Sequence, residues 1–348
     1  MFRLKQHLGE FTTFSRRYAA TPHPSALTGC HLPQRGRLWI TKLQFTRQIG
    51  EYMNERKRIF ALGFFDGVHL GHQALLAACR KLANELGCAA AAVTFDTHPL
   101  TLVRGLAPGL LNTPEDRCRL LEQFGMDAVH TLPFNREMMN MPWREFVEAL
   151  LSMGAAGFVC GDDYRFGHRG EGDPEKLKAV CQELGLPCII VPEQMVDGQR
   201  VSSTRIREKI ELGEMEGAVK LLGHPHILTG KVIHGHQLGR TLGIPTANLM
   251  LPSGLAVPRF GVYACRCRID GEYYLAVTNI GTRPTVAGIG VTVEPWILDY
   301  NGDLYGREIT LEFHRFLRPE QKFTSLEALR QEILRNAEET RAYFQTVR

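Results

Sequence analysis

The stretch Gly63-Phe64-Phe65-Asp66-Gly67-Val68-His69-Leu70-Gly71-His72 constrains this chain more than any other. It follows a short apolar run, Ile59 to Leu62. It leads into Leu75, Leu76, Cys79, Leu82, Ala83 and Leu86, apolar positions that recur at helical spacing. Gly87 stands where a helix C-cap glycine is expected, and Ala89 to Phe95 reads as a buried strand. The stretch is therefore the turn of a strand–loop–helix–strand unit. In open parallel sheets that turn lies at the carboxyl end of the strand, where ligands bind. Two histidines three residues apart at a helix N-terminus can both face one phosphate, with the helix dipole and free N–H groups behind them.

The 348 residues suffice for two domains, and 44% hydrophobic with 22% charged residues is ordinary for a globular chain. No apolar run is long enough to span a bilayer. Residues 1–50 hold eight Lys/Arg against one acid, Glu10, a charge of +7, so the rest of the chain carries −3 of the net +4. The basic balance belongs to the N-terminus, and a nucleic-acid partner loses its main support. Nine cysteines with no C-x-x-C read as reduced thiols of a cytosolic protein. Cys265 and Cys267 would share one strand face, and a metal site there is the alternative.

Residues 1–54 are Arg-rich, acid-poor and broken by Pro22, Pro24, Gly29, Pro33 and Gly36. They read as a disordered tail or a start-site artefact, with Met53 as an alternative start, in preference to a transit segment. Residues 55–222 alternate strand and helix patterns, which implies a parallel, doubly wound sheet. Asp96-Thr97-His98-Pro99 reads as a loop, Thr113-Pro114 as the start of a helix through Phe124, and Ser202-Ser203-Thr204 as the cap of a helix running to about Leu212. Residues 223–348 change to short strands and glycine-rich turns, the signature of a small closed antiparallel barrel. One long helix follows, with Thr324-Ser325-Leu326-Glu327 as its capping box and Leu326, Leu329, Ile333, Leu334 and Ala337 against the barrel.

Several residues suit phosphate chemistry. His69 and His72 can stabilise charge developing on an α-phosphate during nucleotidyl transfer. Arg200, Ser203, Thr204 and Arg207 describe a triphosphate grip at a helix N-terminus, although a plain cap with exposed arginines has the same sequence. Gly230-Lys231 lacks the spacing of a P-loop. The run with Gly230, Gly235, Gly239 and Gly243 suits either mobile turns or a flap whose N–H groups surround phosphates. Thr246 and Asn248 share one face of an extended segment. Their two oxygens suit Mg²⁺ or ordinary turn hydrogen bonds.

The loops G-x-F-D-G-V-H-x-G-H, F-D-x-H-P, G-D-D-Y-R-F-G and S-S-T-R-I-R, in this order, closely resemble the FMN adenylyltransferase half of the bacterial bifunctional riboflavin kinase/FAD synthetases, a family of H-x-G-H nucleotidyltransferases. H-G-H-Q-L-G-R-T-L-G-I-P-T-A-N, P-R-F-G-V-Y, N-I-G-T-R-P-T, V-T-V-E and D-L-Y-G resemble its riboflavin kinase module. The resemblance covers about residues 57–345. It implies a Rossmann-like α/β domain, a riboflavin-kinase-like barrel and a C-terminal helix. His69 and His72 would contact ATP phosphates, and Arg200, Ser203, Thr204 and Arg207 the leaving pyrophosphate. Gly63, Phe65, Asp66, Gly71 and Asp163 would complete the ATP/FMN site, with Asp162 beside it. In the kinase module Gly230, Lys231, Gly235, Gly243 and Arg318 would hold ATP and flavin, Thr246 and Asn248 would organise Mg²⁺-ATP, and Glu294 would be the base toward the ribityl 5′-hydroxyl. Two departures stand out. Pro295-Trp296 replaces a small residue and a histidine, which predicts an edge or bulged strand. Asn336 replaces an aspartate.

The expected chemistry is ATP-dependent phosphorylation of riboflavin to FMN, then adenylylation of FMN to FAD with release of pyrophosphate. Small molecules are the expected partners, with neither nucleic acid nor membrane, and weak self-association is left open. The rivals are an adenylyltransferase with an impaired kinase module, another H-x-G-H nucleotidyltransferase, and a flavin-binding regulator without turnover.

Overall fold

The computed structural model describes residues 57–105, 108–234, 243–285 and 288–347. The expectations for residues 1–54 and for Gly235 lie outside them. The first module runs β1 (Arg58–Leu62), α1 (Leu70–Leu86), β2 (Ala89–Phe95), α2 (Pro99–Arg104), α3 (Pro114–Gln123), β3 (Ala128–Leu132), α4 (Arg136–Asn140), α5 (Trp143–Ser152), β4 (Ala155–Gly161), α6 (Pro174–Glu183) and β5 (Cys188–Val191). All five strands are parallel, in the order β3-β2-β1-β4-β5. The order reverses between β1 and β4, so the carboxyl end of β1 opens onto the switch-point crevice.

β1 and β2 are buried along their whole length because helices cover both faces. Phe60 and Leu62 point to the side of Phe146, Leu150, Leu177 and Val180. Ile59 and Ala61 point to the side of Leu75, Leu76, Leu120 and Leu121. Local signals placed the helix ends well. Thr113 accepts from the Asp116 N–H at 3.1 Å with Pro114 in the first turn, and Gly87 closes α1 at φ 65°. The loop expected at 96–99 instead starts α2, because the His98 Nδ1 accepts from the Leu100 N–H at 3.1 Å and so acts as a cap.

A short ribbon, β6 (Met195–Val196) and β7 (Gln199–Arg200), precedes α7 (Ser203–Leu212) and α8 (Met215–Leu222). The second module contains β8 (His226–Lys231), β9 (Leu249–Met250), β10 (Gly261–Ile269), β11 (Glu272–Thr285), β12 (Gly288–Ile297), β13 (Glu308–Pro319) and α9 (Leu326–Thr346). The sheet order is β8-β13-β10-β11-β12-β9, with antiparallel pairing. The expected closure is made by one bridge: the Ile233 N–H donates to Asn248 O at 2.9 Å, joining the ends of the β8 and β9 segments.

Three details differ from the sequence reading. β12 is not an edge strand at Pro295. It pairs with β11 on one side, and the Ala247 N–H donates to Pro295 O at 2.9 Å on the other. A residue's N and O point to the same side of a strand, so the missing Pro295 N–H faces the short 244–248 segment and β11 keeps its ladder. The last helix is capped by Ser325, accepting from the Ala328 N–H at 3.1 Å, one residue later than the expected box. Leu326 is therefore exposed, and Asn336, Ala337 and Thr340 form the buried stripe.

The described residues form one compact unit, in which α7 and α8 join the modules. Ile206, Ile210, Met215, Ala218 and Leu221 share a core with the barrel residues Leu228, Tyr263, Cys265, Leu311 and Phe313. Cys265 and Cys267 are wholly buried in that core, and burial pushes the Cys267 thiol up to about 12. Leu110 adds a backbone join, bonded to Gly254 O at 2.7 Å and to the Ala256 N–H at 2.8 Å. The shared core predicts one cooperative unfolding transition. Ile210→Ala should shift that single transition down at a cost of about 2–5 kcal/mol. Calorimetry resolving two transitions, only one of them moved, would contradict the shared core.

Candidate active site

The loop after β1 is built on unusual backbone. Phe65 has φ 60° and Val68 φ 40°, and Gly67 between them has φ 81°. Non-glycine residues at positive φ cost free energy and persist only where the surroundings over-determine them. Here the surroundings are explicit. Phe65 and Val68 are fully buried. A Cβ on Gly67 would sit 2.5 Å from Leu111 Cδ1.

Asp66 is the joint. It is 3% exposed. Its Oδ1 accepts from the Leu111 N–H at 2.8 Å, its Oδ2 accepts from Arg207 Nη2 at 3.1 Å, and its carbonyl accepts from Ser203 Oγ at 2.9 Å. Burial raises its pKa, opposed by the Leu111 and Arg207 bonds. Arg207 also donates through Nε to Gly109 O at 2.5 Å. Two members of the expected phosphate grip, Ser203 and Arg207, thus secure the histidine loop to α7. Ser202 caps that helix by accepting from the Arg205 N–H at 3.4 Å, while Thr204 is exposed.

His69 caps α1, its Nδ1 accepting from the His72 N–H at 3.4 Å. An accepting Nδ1 leaves the ring proton on Nε2, a free donor. The two imidazoles stack at 3.7 Å and 14°. Desolvation lowers the His69 pKa to about 4 and puts that of His72 well below its ordinary value, with His69 and then Arg117 adding to the latter. Both rings are neutral in the free protein at pH 7. A Cβ on Gly71 would come 3.1 Å from His69 Cε1, so this glycine makes room for the ring it was expected to offer a ligand. A Cβ on Gly63 would likewise come 3.0 Å from Phe65 Cζ.

On the other side of the crevice Arg200 is paired with Asp163 and, at 2.8 Å, with Glu193. The Asp162 Oδ2 accepts from the Glu193 N–H at 3.3 Å. The structure therefore joins Asp163 to Arg200, two residues the sequence had placed in separate roles.

Residues without a sequence signal complete the first site. His224 lies in the connection between the modules and bonds Gly67 O through Nε2 at 3.0 Å. Gln73 Nε2 donates to Val68 O at 2.8 Å and to Leu222 O at 2.6 Å. Arg117 on α3 is completely buried, with Nη2 donating to Phe95 O at 2.5 Å. Helical spacing alone reads Arg117 as an exposed residue between apolar neighbours.

In the second module β9 pairs Leu249 with Val293, and the Ala247–Pro295 bond continues that register. Asn248 therefore stands opposite Glu294, which in turn stands opposite Asn279 of β11. Val293 and Ile297 face the barrel core, so this row lies on the outer face. Thr246 shares that face through its spacing from Asn248. Arg318 Nε donates to Asn336 Oδ1 at 3.0 Å and lies 3.1 Å from Glu332 Oε1. The carboxylate absent at 336 is thus supplied one turn earlier. Lys231 and Gly243 are exposed, Gly230 is packed near Leu249, and none of the three is drawn into the Asn248–Glu294 row.

A parallel 3-2-1-4-5 sheet with H-x-G-H at the end of its first strand, joined to a six-stranded barrel, defines a two-module nucleotide-using enzyme class. The FAD synthetase family matches residues 51–205 and the riboflavin kinase family residues 222–344. The bifunctional riboflavin kinase/FMN adenylyltransferase of Listeria monocytogenes is 35% identical over 82% of this chain and 92% of its own length. That of Pseudomonas fluorescens is 39% identical over 83% and 94%. A solved Streptococcus pneumoniae structure, described as a macrolide-efflux protein, aligns at TM-score 0.76 and 31% identity over 84% of this chain and 96% of that one. Among the described residues no helix is long and apolar enough to cross a membrane. The chain belongs to the bifunctional riboflavin kinase/FMN adenylyltransferase family.

Neutral histidines make the fold sensitive to acid. Burial pushes His69, His130 and His226 each down from 6.5 to about 4. The unfolded chain takes up these protons between pH 6.5 and 4 while the folded chain does not. Their contribution is therefore fully present above pH 6.5 and is lost as pH falls toward 4. Urea midpoints should fall steadily across that window. A flat profile would contradict the neutral-histidine assignment.

Proposed function

We propose that the second module phosphorylates riboflavin with ATP and that the first transfers AMP from ATP to the resulting FMN. The observation that carries the second step is the stacked neutral pair His69 and His72 at the N-terminus of α1, held by Asp66 and α7. An FMN phosphate oxygen attacks the α-phosphorus of ATP, the bond to the bridging oxygen breaks, and pyrophosphate leaves. Negative charge grows on the α-phosphate oxygens, where the His69 Nε2–H and the first N–H groups of α1 are aimed as donors. No covalent enzyme intermediate is needed. Proximity and fixed donors supply the rate. Arg200, Thr204 and Arg207 receive the departing pyrophosphate, with Gly63, Phe65 and Gly71 shaping the loop and Asp163 steering Arg200.

In the kinase module the riboflavin 5′-hydroxyl attacks the γ-phosphorus of ATP and ADP leaves. Glu294, in register with Asn248 and Asn279, takes the hydroxyl proton. Thr246 and Asn248 present hard oxygen donors that fit Mg²⁺, which when bound neutralises nucleotide phosphate charge. Arg318, oriented by Asn336 and Glu332, contacts the flavin in this reading. Pro295 leaves the Glu294–Asn279 register intact, so its missing N–H does not displace the proposed base. None of the eight described cysteines is in a disulfide, which suits a cytosolic enzyme.

Incubation with riboflavin and ATP, followed by chromatography, should show FMN and then FAD. Neither product would overturn the reading. Glu294→Ala should lower FMN formation by roughly 10²–10⁴-fold and leave FMN-to-FAD conversion in place. His72→Ala should do the reverse, stopping the reaction at FMN with a loss of about 10²–10³ in the second step. Loss of both activities in either folded variant would contradict separate sites.

A further inference from the structure

Arg117 carries chemistry that the two steps above leave unused. Its side chain is fully buried in the first module. A buried guanidinium ordinarily holds a carboxylate. Here only Nη2 has a partner, the Phe95 carbonyl, while Nε and Nη1 are buried without any hydrogen-bond acceptor. Asp66, the carboxylate whose charge acts most strongly on it, already has both oxygens engaged by Leu111 and Arg207. The guanidinium lies 4.3 Å from the centre of the Phe64 ring. That ring is only half-buried, and it also makes a T-shaped contact with His98 at 4.6 Å. Phe64 belongs to the histidine loop itself. Arg117 thus lies beside the histidine loop, with the half-buried Phe64 ring against its guanidinium.

The electrostatics point the same way. The positive charge of Arg117 acts on His72, His98 and Asp66 together, so it belongs to the same local field as the histidine pair. Two unpaired donors of a planar fork fit two oxygens of a phosphate. We propose that Arg117 is a concealed phosphate-binding residue of the first site, whose Nε and Nη1 donors engage a substrate phosphate once the Phe64 ring swings off the guanidinium. The swing exchanges the cation–π contact and part of the ring's apolar packing for charge-assisted hydrogen bonds. The inference rests on the adenylyl-transfer reading, since the phosphate belongs either to the flavin or to the nucleotide.

The test uses the full chain. Arg117→Met removes the charge while keeping most of the bulk. It should lower FAD formation roughly 10- to 100-fold, the range for losing charged hydrogen bonds. It should leave riboflavin phosphorylation unchanged and the melting temperature unchanged or raised, because an unpaired buried charge is gone. Arg117→Lys keeps the charge without the fork and should rescue only part of the loss. A rise in KM for FMN alone assigns the contact to the flavin phosphate, and a rise for ATP alone assigns it to the nucleotide. Undiminished FAD formation by folded Arg117→Met would overturn the proposal. So would a parallel loss of both activities and of stability, the behaviour of a purely structural arginine.

Chemical modification gives a second arm that needs no turnover. In Phe64→Ala, phenylglyoxal should modify Arg117, read by peptide mass spectrometry, and added FMN or pyrophosphate should protect it. Modification at the same rate with and without both ligands would overturn the proposal. FAD formation by the unsubstituted chain tests the adenylyl-transfer reading separately, so the two failures are distinguishable.

Discussion

The buried carboxylate of Asp66 is the interaction on which the first site depends. Its two oxygens and its carbonyl bind two separate parts of the chain: Leu111, and Arg207 with Ser203 on α7. Those bonds hold a loop with three residues at positive φ, a backbone that would relax without them. The same bonds set the start of α1, and with it the stacking of His69 on His72. Removing water from Asp66 is costly, and the Arg207 bond offsets that cost only while α7 stays in place.

The Asp66 anchor also reaches the second module. Leu111 follows Leu110, whose backbone bonds to Gly254 and Ala256 beyond β9. His224, between the modules, bonds to Gly67 in the same loop. The histidine loop is therefore held partly by residues of the barrel, and the two modules share one scaffold. The shared core of α7, α8 and the barrel couples the modules mechanically, because buried apolar surface is continuous between them.

Much of the fold was legible locally. Thr113-Pro114, Gly87 and Ser202 mark helix ends through bonds made within a turn, and the apolar runs at β1 and β2 mark strands covered on both faces. Errors arose where a competing local bond won. His98 caps a helix in a segment that reads as a loop, and Ser325 displaces Thr324 as the cap of α9. Pro295 looked disruptive because sequence cannot show which side of a strand a missing N–H faces. In the site, His69, His72, Asn248 and Glu294 were visible as motif residues. Gln73, Arg117 and His224 were not, because each makes a bond to a residue far away in the chain.

By itself the sequence determined the two modules and their order, and it marked candidate residues for two phosphate sites, since periodicity, caps and contiguous motifs are local properties. Tertiary structure decided how those residues are used. It turned Ser203, Arg207 and Asp66 into a brace for the histidine loop and joined Arg200 to Asp163. It set Asn248 opposite Glu294 through strand register and buried Arg117 under Phe64. These outcomes depend on long-range packing and desolvation, which are set by where distant segments meet.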